Sequence, residues 1–146
     1  MITTAQVLHV VGQGKQIKAS QATDVSLYHV VSSGQPIASL RAMQQLMGFT
    51  HKEISEMMGI SESTLLRRYK ASKQTLTREE TDRLIGIAEV IAHGMDVYES
   101  VELFKQWLHT SLPPLGNQKP IELLWSSIGR AKIKDILTRI EYGHYS

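Results

Sequence analysis

Between positions 61 and 73 the sequence reads SESTLLRRYKASK, and its polar side chains are of two kinds. Ser61, Ser63 and Thr64 carry short hydroxyls, while Arg67, Arg68, Lys70 and Lys73 carry cations, with Lys52 a further cation upstream. Hydroxyls near the start of a helix and guanidinium groups one turn on can hydrogen-bond base edges and neutralise phosphates, which is the chemistry of contact with double-stranded DNA. A solvated helix end is the alternative, because cations favour a helix C-terminus through its dipole and charge runs are commonly surface. A second constellation closes the sequence as RIEYGHYS, with Arg139, Glu141, Tyr142, Gly143, His144, Tyr145 and Ser146. Flat rings with polar tips lose little rotamer entropy on binding and suit a protein interface, with Arg139 and Glu141 placed for rim contacts. The alternative here is that Tyr142 and Tyr145 pack back on Trp107 or Trp125 as ordinary core aromatics.

Other chemistries find no support. The six histidines, His9, His29, His51, His93, His109 and His144, show no H-x-x-x-H or H-E-x-x-H spacing, so no metal site is expected. VGQGK at 11–15 lacks the third glycine, the Ser or Thr and the helix start that a phosphate loop needs. Glu79, Glu80 and Asp82 fall in what reads as the first turn of a helix, where carboxylates stabilise the dipole without any catalytic role. No catalytic constellation and no cofactor are expected, and the protein reads as a binder rather than an enzyme.

These groups must be held by a scaffold, and the chain of 146 residues, 42% hydrophobic and 21% charged, can build one. No apolar run is long enough to span a membrane, and the first residues, MITTAQVLHVVGQGK, lack the basic n-region of a signal peptide. With no cysteine the chain fits a reducing cytoplasm. Charge is uneven: residues 1–49 hold three basic and one acidic side chain, 50–75 five and three, and 76–146 eight and ten. A mildly basic front and a mildly acidic back point to different partners.

Residues 1–23 surround a short β-branched run, VLHVV, and read as either a mobile arm or a single strand. From residue 24 the pattern is helical, roughly seven or eight short helices, so the expected class is all-α. Asp24 starts a helix that Gly34 stops, and Pro36 opens another with Ile37, Leu40, Met43, Leu46 and Met47 on one face. Thr50 with Glu53, and Thr77 with Glu80, have capping-box spacing. The second box starts a helix expected to run to about His93 and end at Gly94. A further amphipathic helix is expected from Val97 to Leu108, TSLPPLGNQK is a loop, Pro120 restarts a short helix, and Ser127 caps the last one. Gly86 inside the longer helix marks a place where another helix comes close.

THKEISEMMGISESTLLRRYK meets the demands of a helix-turn-helix. Gly59 and Ile60 make the turn, the small Ser55 sits where the helices cross, and Ile54, Met58 and Leu65 supply buried faces. At about 100° per residue Leu65, Leu66 and Tyr69 share the inward arc, leaving Ser63, Thr64, Arg67 and, at its edge, Arg68 outward.

Beyond residue 76 the helix RLIGIAEVIAHGMDVY, the WL that ends the next one, PPLGNQKPIELL and the finish GRAKIKDILTRIEYGHYS combine in a pattern. From about residue 25 to the end the sequence resembles the antitoxins of the Xre/MbcA/ParS class, specifically those paired with RES-domain toxins. The resemblance implies an Xre-like helix-turn-helix joined to a toxin-binding part. It also implies a homodimer, repression of its own operon through operator double-stranded DNA, and a partner toxin that consumes NAD and is blocked near its active-site entrance by the antitoxin's C-terminal segment. The family's loop turn falls on Gly116, Asn117, Gln118, Lys119 and Pro120, where relatives often have two glycines. Its ending falls on Arg139, Ile140, Glu141, Gly143 and Tyr145, with His144 in place of an aliphatic residue.

The expected organisation is therefore an N-terminal arm over 1–23, a helix-turn-helix region over 24–75 and a part over 76–146 that binds toxin and is a candidate for dimerisation. The DNA-contact residues are expected to be Lys52, Ser61, Ser63, Thr64, Arg67, Arg68, Lys70 and Lys73. The toxin-contact residues are expected to be Arg139, Glu141, Tyr142, Gly143, His144, Tyr145 and Ser146. A plain transcription regulator whose C-terminal half only dimerises is the rival reading.

Overall fold

A helix starts where a side-chain oxygen can take up the free N–H groups of its first turn, and this chain supplies one at most of its starts. The computed structural model describes residues 2–12, 24–71 and 74–143. Within them lie eight α-helices: α1 (Thr4–Val10), α2 (Asp24–Ser33), α3 (Ile37–Met47), α4 (His51–Met58), α5 (Glu62–Lys70), α6 (Arg78–Tyr98), α7 (Val101–Leu108) and α8 (Ser127–Glu141). The fold is all-α. Among the described residues the β pairing amounts to two isolated bridges, Pro36 with Thr75 and Leu112 with Gln118. Complete capping boxes open α1 (Thr3 and Gln6), α4 (Thr50 and Glu53) and α6 (Thr77 and Glu80).

The core forms around α6, which packs against α1, α2, α7 and α8. Leu84, Ile87, Ala88, Val90 and Ile91 of this helix are all fully buried, because it has neighbours on several sides. Each such Leu or Ile contributes roughly 1.5–3 kcal/mol of transfer free energy.

Four local expectations are corrected. The run VLHVV belongs to neither a strand nor a loose arm: Val7, Leu8 and Val10 lie in α1, with Val11 just after it, and all four are at most 2% exposed. A capped helix that can bury an apolar face on α6 overrides the strand preference of β-branched residues. The rest of the expected arm, residues 13–23, lies outside the described residues.

The helix expected to stop at Gly94 continues to Tyr98. A Cβ at Gly94 would stand 2.1 Å from the Phe104 ring, so this glycine admits an aromatic from α7 instead of ending the helix. The actual end is Glu99, in the left-handed region at φ 54°, after which Ser100 caps α7; the helix expected from Val97 thus begins at Val101. The last helix is capped by Ser126, one residue before the expected Ser127, through its hydroxyl to the Gly129 N–H. The expected loop contains a short 3-10 turn over Pro113–Leu115, and a second such turn spans Pro120–Leu123. At Gly86 the close neighbour is Arg130 of α8, whose Nε would lie 2.8 Å from an added Cβ.

Candidate DNA-contact and toxin-binding surfaces

The two helices of the turn motif are α4 and α5. Gly59 joins them at φ 70°, a conformation L side chains avoid, and its N–H bonds back to the Ser55 carbonyl. Ser55 is 5% exposed and donates its hydroxyl to the Lys52 carbonyl at 2.8 Å, a small side chain closing on its own helix where α4 meets α5. Ile54, Met58 and Leu65 are buried as the sequence predicts.

At the start of α5 the three expected hydroxyls form one cluster. Ser61 Oγ accepts from the Thr64 N–H at 3.1 Å, donates to Thr64 Oγ1 at 2.9 Å, and lies 3.1 Å from Ser63 Oγ. Ser63, Arg67 and Lys70 are exposed along the outward face of the helix, and Lys52 is exposed on α4. Lys73 lies outside the described residues.

Two members of α5 depart from the helical-wheel reading. Leu66, expected inward with Leu65 and Tyr69, is 40% exposed. It lines a cleft of about 540 Å³ together with Arg41, Gln45, His51 and Lys70, which leaves its side of α5 open among the described residues. Arg68, expected outward, turns inward, its side chain only 12% exposed. Its guanidinium donates to both Glu80 oxygens, at 2.6 and 3.0 Å, and its Nε donates to Gln74 Oε1 at 3.1 Å. Glu80 meanwhile accepts the Thr77 N–H at 2.9 Å, so the capping box of α6 also holds the end of α5. Hydrogen bonds from Arg68 hold the Glu80 carboxyl below its usual value, and those to Glu80 raise the guanidinium above its own.

Tyr69 anchors the inner side. Its hydroxyl donates to Gln44 Oε1 at 2.6 Å, and burial pushes its pKa up to about 12. Arg41 covers the ring at 4.5 Å and donates to the Tyr69 carbonyl at 2.9 Å. No sequence motif marks Arg41 or His51 as a cleft residue. Their approach to α5 depends on how α3 and α4 pack against it, which no local spacing encodes.

The C-terminal part is tied to the turn motif through α7. His109 Nε2 lies 2.6 Å from Glu53 Oε2, and Lys105 donates to the Gly48 carbonyl at 2.8 Å. Burial pushes the Glu53 carboxyl up, but hydrogen bonds from the Thr50 backbone and from His109 outweigh it and leave the group below its usual value. A cleft of about 530 Å³ opens beside this junction, with Lys52, Glu56, Glu122 and Trp125 on its walls.

In the loop before α8, Gly116 and Asn117 both adopt the left-handed conformation, at φ 64° and 65°. Asn117 tolerates this because a short amide can bond locally there. Of the expected toxin contacts, Arg139 is exposed and pairs with Asp135 at 3.1 Å, and Glu141 meets His93 Nε2 at 3.3 Å. Tyr142 is 65% exposed rather than packed into the core, and Gly143 follows at φ 69°. His144, Tyr145 and Ser146 lie outside the described residues. Of the two tryptophans proposed as alternative partners for Tyr142, Trp107 stacks on Phe104 and leans on Tyr98. Trp125 stays 56% exposed, and Ile128 beside it is 74% exposed. No motif in the sequence marks this pair. A signal was available for Ile128 alone, which lies on α8 and falls off the stripe Ile133, Ile136, Leu137.

Comparison with known proteins finds two matching domain families. An antitoxin Xre-like helix-turn-helix domain matches residues 26–89, and an antitoxin Xre/MbcA/ParS C-terminal toxin-binding domain matches residues 93–143. The chain is 23% identical over 135 residues to a Prs ADP-ribosylating antitoxin of Sphingobium sp., covering 86% of this chain and 84% of that one. It is 24% identical over 115 residues to an antitoxin Xre of Photorhabdus laumondii, covering 78% and 77%. The fold is similar to a chain in the crystal structure of the M. tuberculosis MbcT–MbcA toxin–antitoxin complex, with a TM-score of 0.56, 15% identity, and coverage of 75% of this chain and 96% of that one. With the two domains in this order on one all-α chain, the protein belongs to the Xre/MbcA/ParS class of antitoxins.

Proposed function

We propose that this antitoxin neutralises a RES-domain toxin that consumes NAD by laying its C-terminal segment over the entrance to the toxin's active site. It acts in the cytoplasm as a homodimer, binds operator double-stranded DNA and represses its own operon. Residues 24–75 serve DNA and residues 76–146 serve the toxin. The observation that carries this reading is the pair of unlike exposed surfaces. Hydroxyls and cations line the outward face of α5, whereas Trp125, Ile128 and Tyr142 stand exposed within the segment matched as toxin-binding.

On the DNA side, Ser61, Ser63 and Thr64 face base edges while Lys52, Arg67 and Lys70 meet base edges or phosphates. Arg68 acts instead as a brace, since its guanidinium is engaged by Glu80. Two such units in a dimer read half-sites one helical turn apart or a multiple of it. On the toxin side, the Sphingobium relative's name ties that protein to ADP-ribosylation, a reaction whose donor is NAD, which supports a toxin of NAD chemistry.

Co-expression with the RES-domain toxin of the same operon tests the reading, comparing the full chain with one ending at Glu141 and following growth and cellular NAD. Rescue by the full chain alone is the expected result. Rescue by both moves inhibition upstream toward Trp125, and rescue by neither, with both chains folded, returns the protein to a plain regulator.

A further inference from the structure

On the outward face of α5 one side chain differs in kind from its neighbours. Leu66 is 40% exposed, and it is flanked by the exposed Ser63, Arg67 and Lys70. A lone surface leucine ordinarily needs no explanation. This one sits inside a polar and cationic surface, on the second helix of a helix-turn-helix, and lines a cleft that is open among the described residues. Binding is the step that can bury it. Along its rim Arg41, His51 and Lys70 place donors and positive charge, as a surface meeting a polyanion requires.

The floor of the major groove presents polar edges at every base pair and a single apolar group, the C5-methyl of thymine. An apolar tip surrounded by hydroxyls and cations is complementary to that combination and to little else on a duplex. We infer that Leu66 is a specificity residue that packs on a thymine C5-methyl in each operator half-site, an inference that rests on the DNA-binding reading above. Cytosine at that place has only a hydrogen where thymine has the methyl, and its amino group, a donor, replaces the thymine O4 acceptor beside it. Uracil keeps every polar group of thymine and lacks only the methyl.

The test uses the full-length protein. Operator duplexes are first selected from a random library, and each thymine of the selected site is then replaced singly by deoxyuridine. The expected result is one position per half-site at which deoxyuridine weakens wild-type binding about fourfold, the effect of one buried methyl, and roughly 15-fold when both half-sites are changed. Leu66→Ala should erase the difference between thymine and deoxyuridine at that position alone, and Leu66→Val should keep part of it, so the reading survives if the alanine variant binds too weakly to measure. Equal thymine–deoxyuridine ratios for wild type and variants at every position overturn the inference. So does a Leu66→Ala chain that dissociates to monomers, which places the leucine in a self-contact. Failure of the library to yield any enriched duplex overturns the DNA-binding reading itself and is distinct from both.

Discussion

The outward faces of α5 and α8 are both solvent-exposed and both amphipathic, yet they differ in what they leave outside. Helix α5 exposes Ser63, Arg67 and Lys70 around a single leucine. Helix α8 carries a neutralised pair, Asp135 with Arg139, between the exposed Ile128 near its start and Tyr142 at its end, with Trp125 just before it. Fixed positive charge with short hydrogen-bonding groups suits a regular polyanion, whose contacts are many and individually weak. Separated large apolar anchors suit a folded protein, where a few buried aromatics carry most of the affinity. The difference teaches that one small core can hold two recognition chemistries, provided each is set on its own helix with a shared one between them. That shared element is α6, which packs directly against α8 and α4, and takes the end of α5 through Arg68 and Glu80.

The strongest way to break the comparison is to damage what both faces share. Gly94→Val would push a side chain into the Phe104 ring, where even a Cβ has only 2.1 Å. Overpacking of this kind should cost about 3 kcal/mol, visible as a large drop in melting temperature, and operator binding and toxin neutralisation should fall together. Loss of neutralisation alone would show that the turn motif folds without α7, sharpening the two faces into two folding units. Next in size is the joint variant Trp125→Ala, Ile128→Ala. If these are anchors, toxin affinity should drop about 30-fold by titration calorimetry, with operator affinity unchanged. An unchanged toxin affinity would confine the interface to the final residues.

On the DNA side, Arg67→Ala should weaken operator binding about tenfold and leave neutralisation intact. The salt dependence separates two roles for this residue. A slope shallower by about one marks a phosphate contact, whereas an unchanged slope with relaxed preference at one base pair marks base readout. Loss of neutralisation in this variant would contradict the division between the faces.

Where the sequence was legible, local chemistry sufficed. Thr50 with Glu53, Ser61, and Thr77 with Glu80 announce their helices because a cap needs only residues within one turn, and the helix-turn-helix follows from Gly59 and Ser55 in the same way. What was not legible depends on partners distant in sequence. Gly94 looks like a stop until Phe104 is known to lie on it. VLHVV looks like a strand until α6 offers it a surface. Leu66 and Arg68 exchange the roles a helical wheel gives them, because the wheel knows nothing of the cleft beside α5 or of Glu80. The exposed Trp125 was likewise hidden, since an aromatic in a small protein is ordinarily core.

The remaining prediction concerns the brace between the two parts. Arg68 and Glu80 meet with side chains only 12% and 17% exposed, and Glu80 is held below its ordinary value of 4.5, first by hydrogen bonds from that guanidinium. A carboxylate whose folded value is depressed adds stability that is fully present above its unfolded value and disappears as pH falls through the folded one. Glu80→Gln keeps a carbonyl oxygen for the Thr77 N–H but loses the charged fork, so it should cost about 1–2 kcal/mol at neutral pH. The melting-temperature gap between wild type and variant should stay constant from pH 8 to above pH 5 and then narrow below about pH 4.5, since the wild-type advantage titrates away. A gap that holds its size down to pH 3 would mean that the pair adds no charge-dependent stability and that Arg68 only fills space. Arg68→Lys makes the same distinction from the other side, because an ammonium restores the charge and cannot restore the two parallel bonds. If the brace sets the angle of α5, that variant should lose a few-fold in operator affinity while its neutralisation of toxin stays at the wild-type level, because α8 does not depend on how α5 is held.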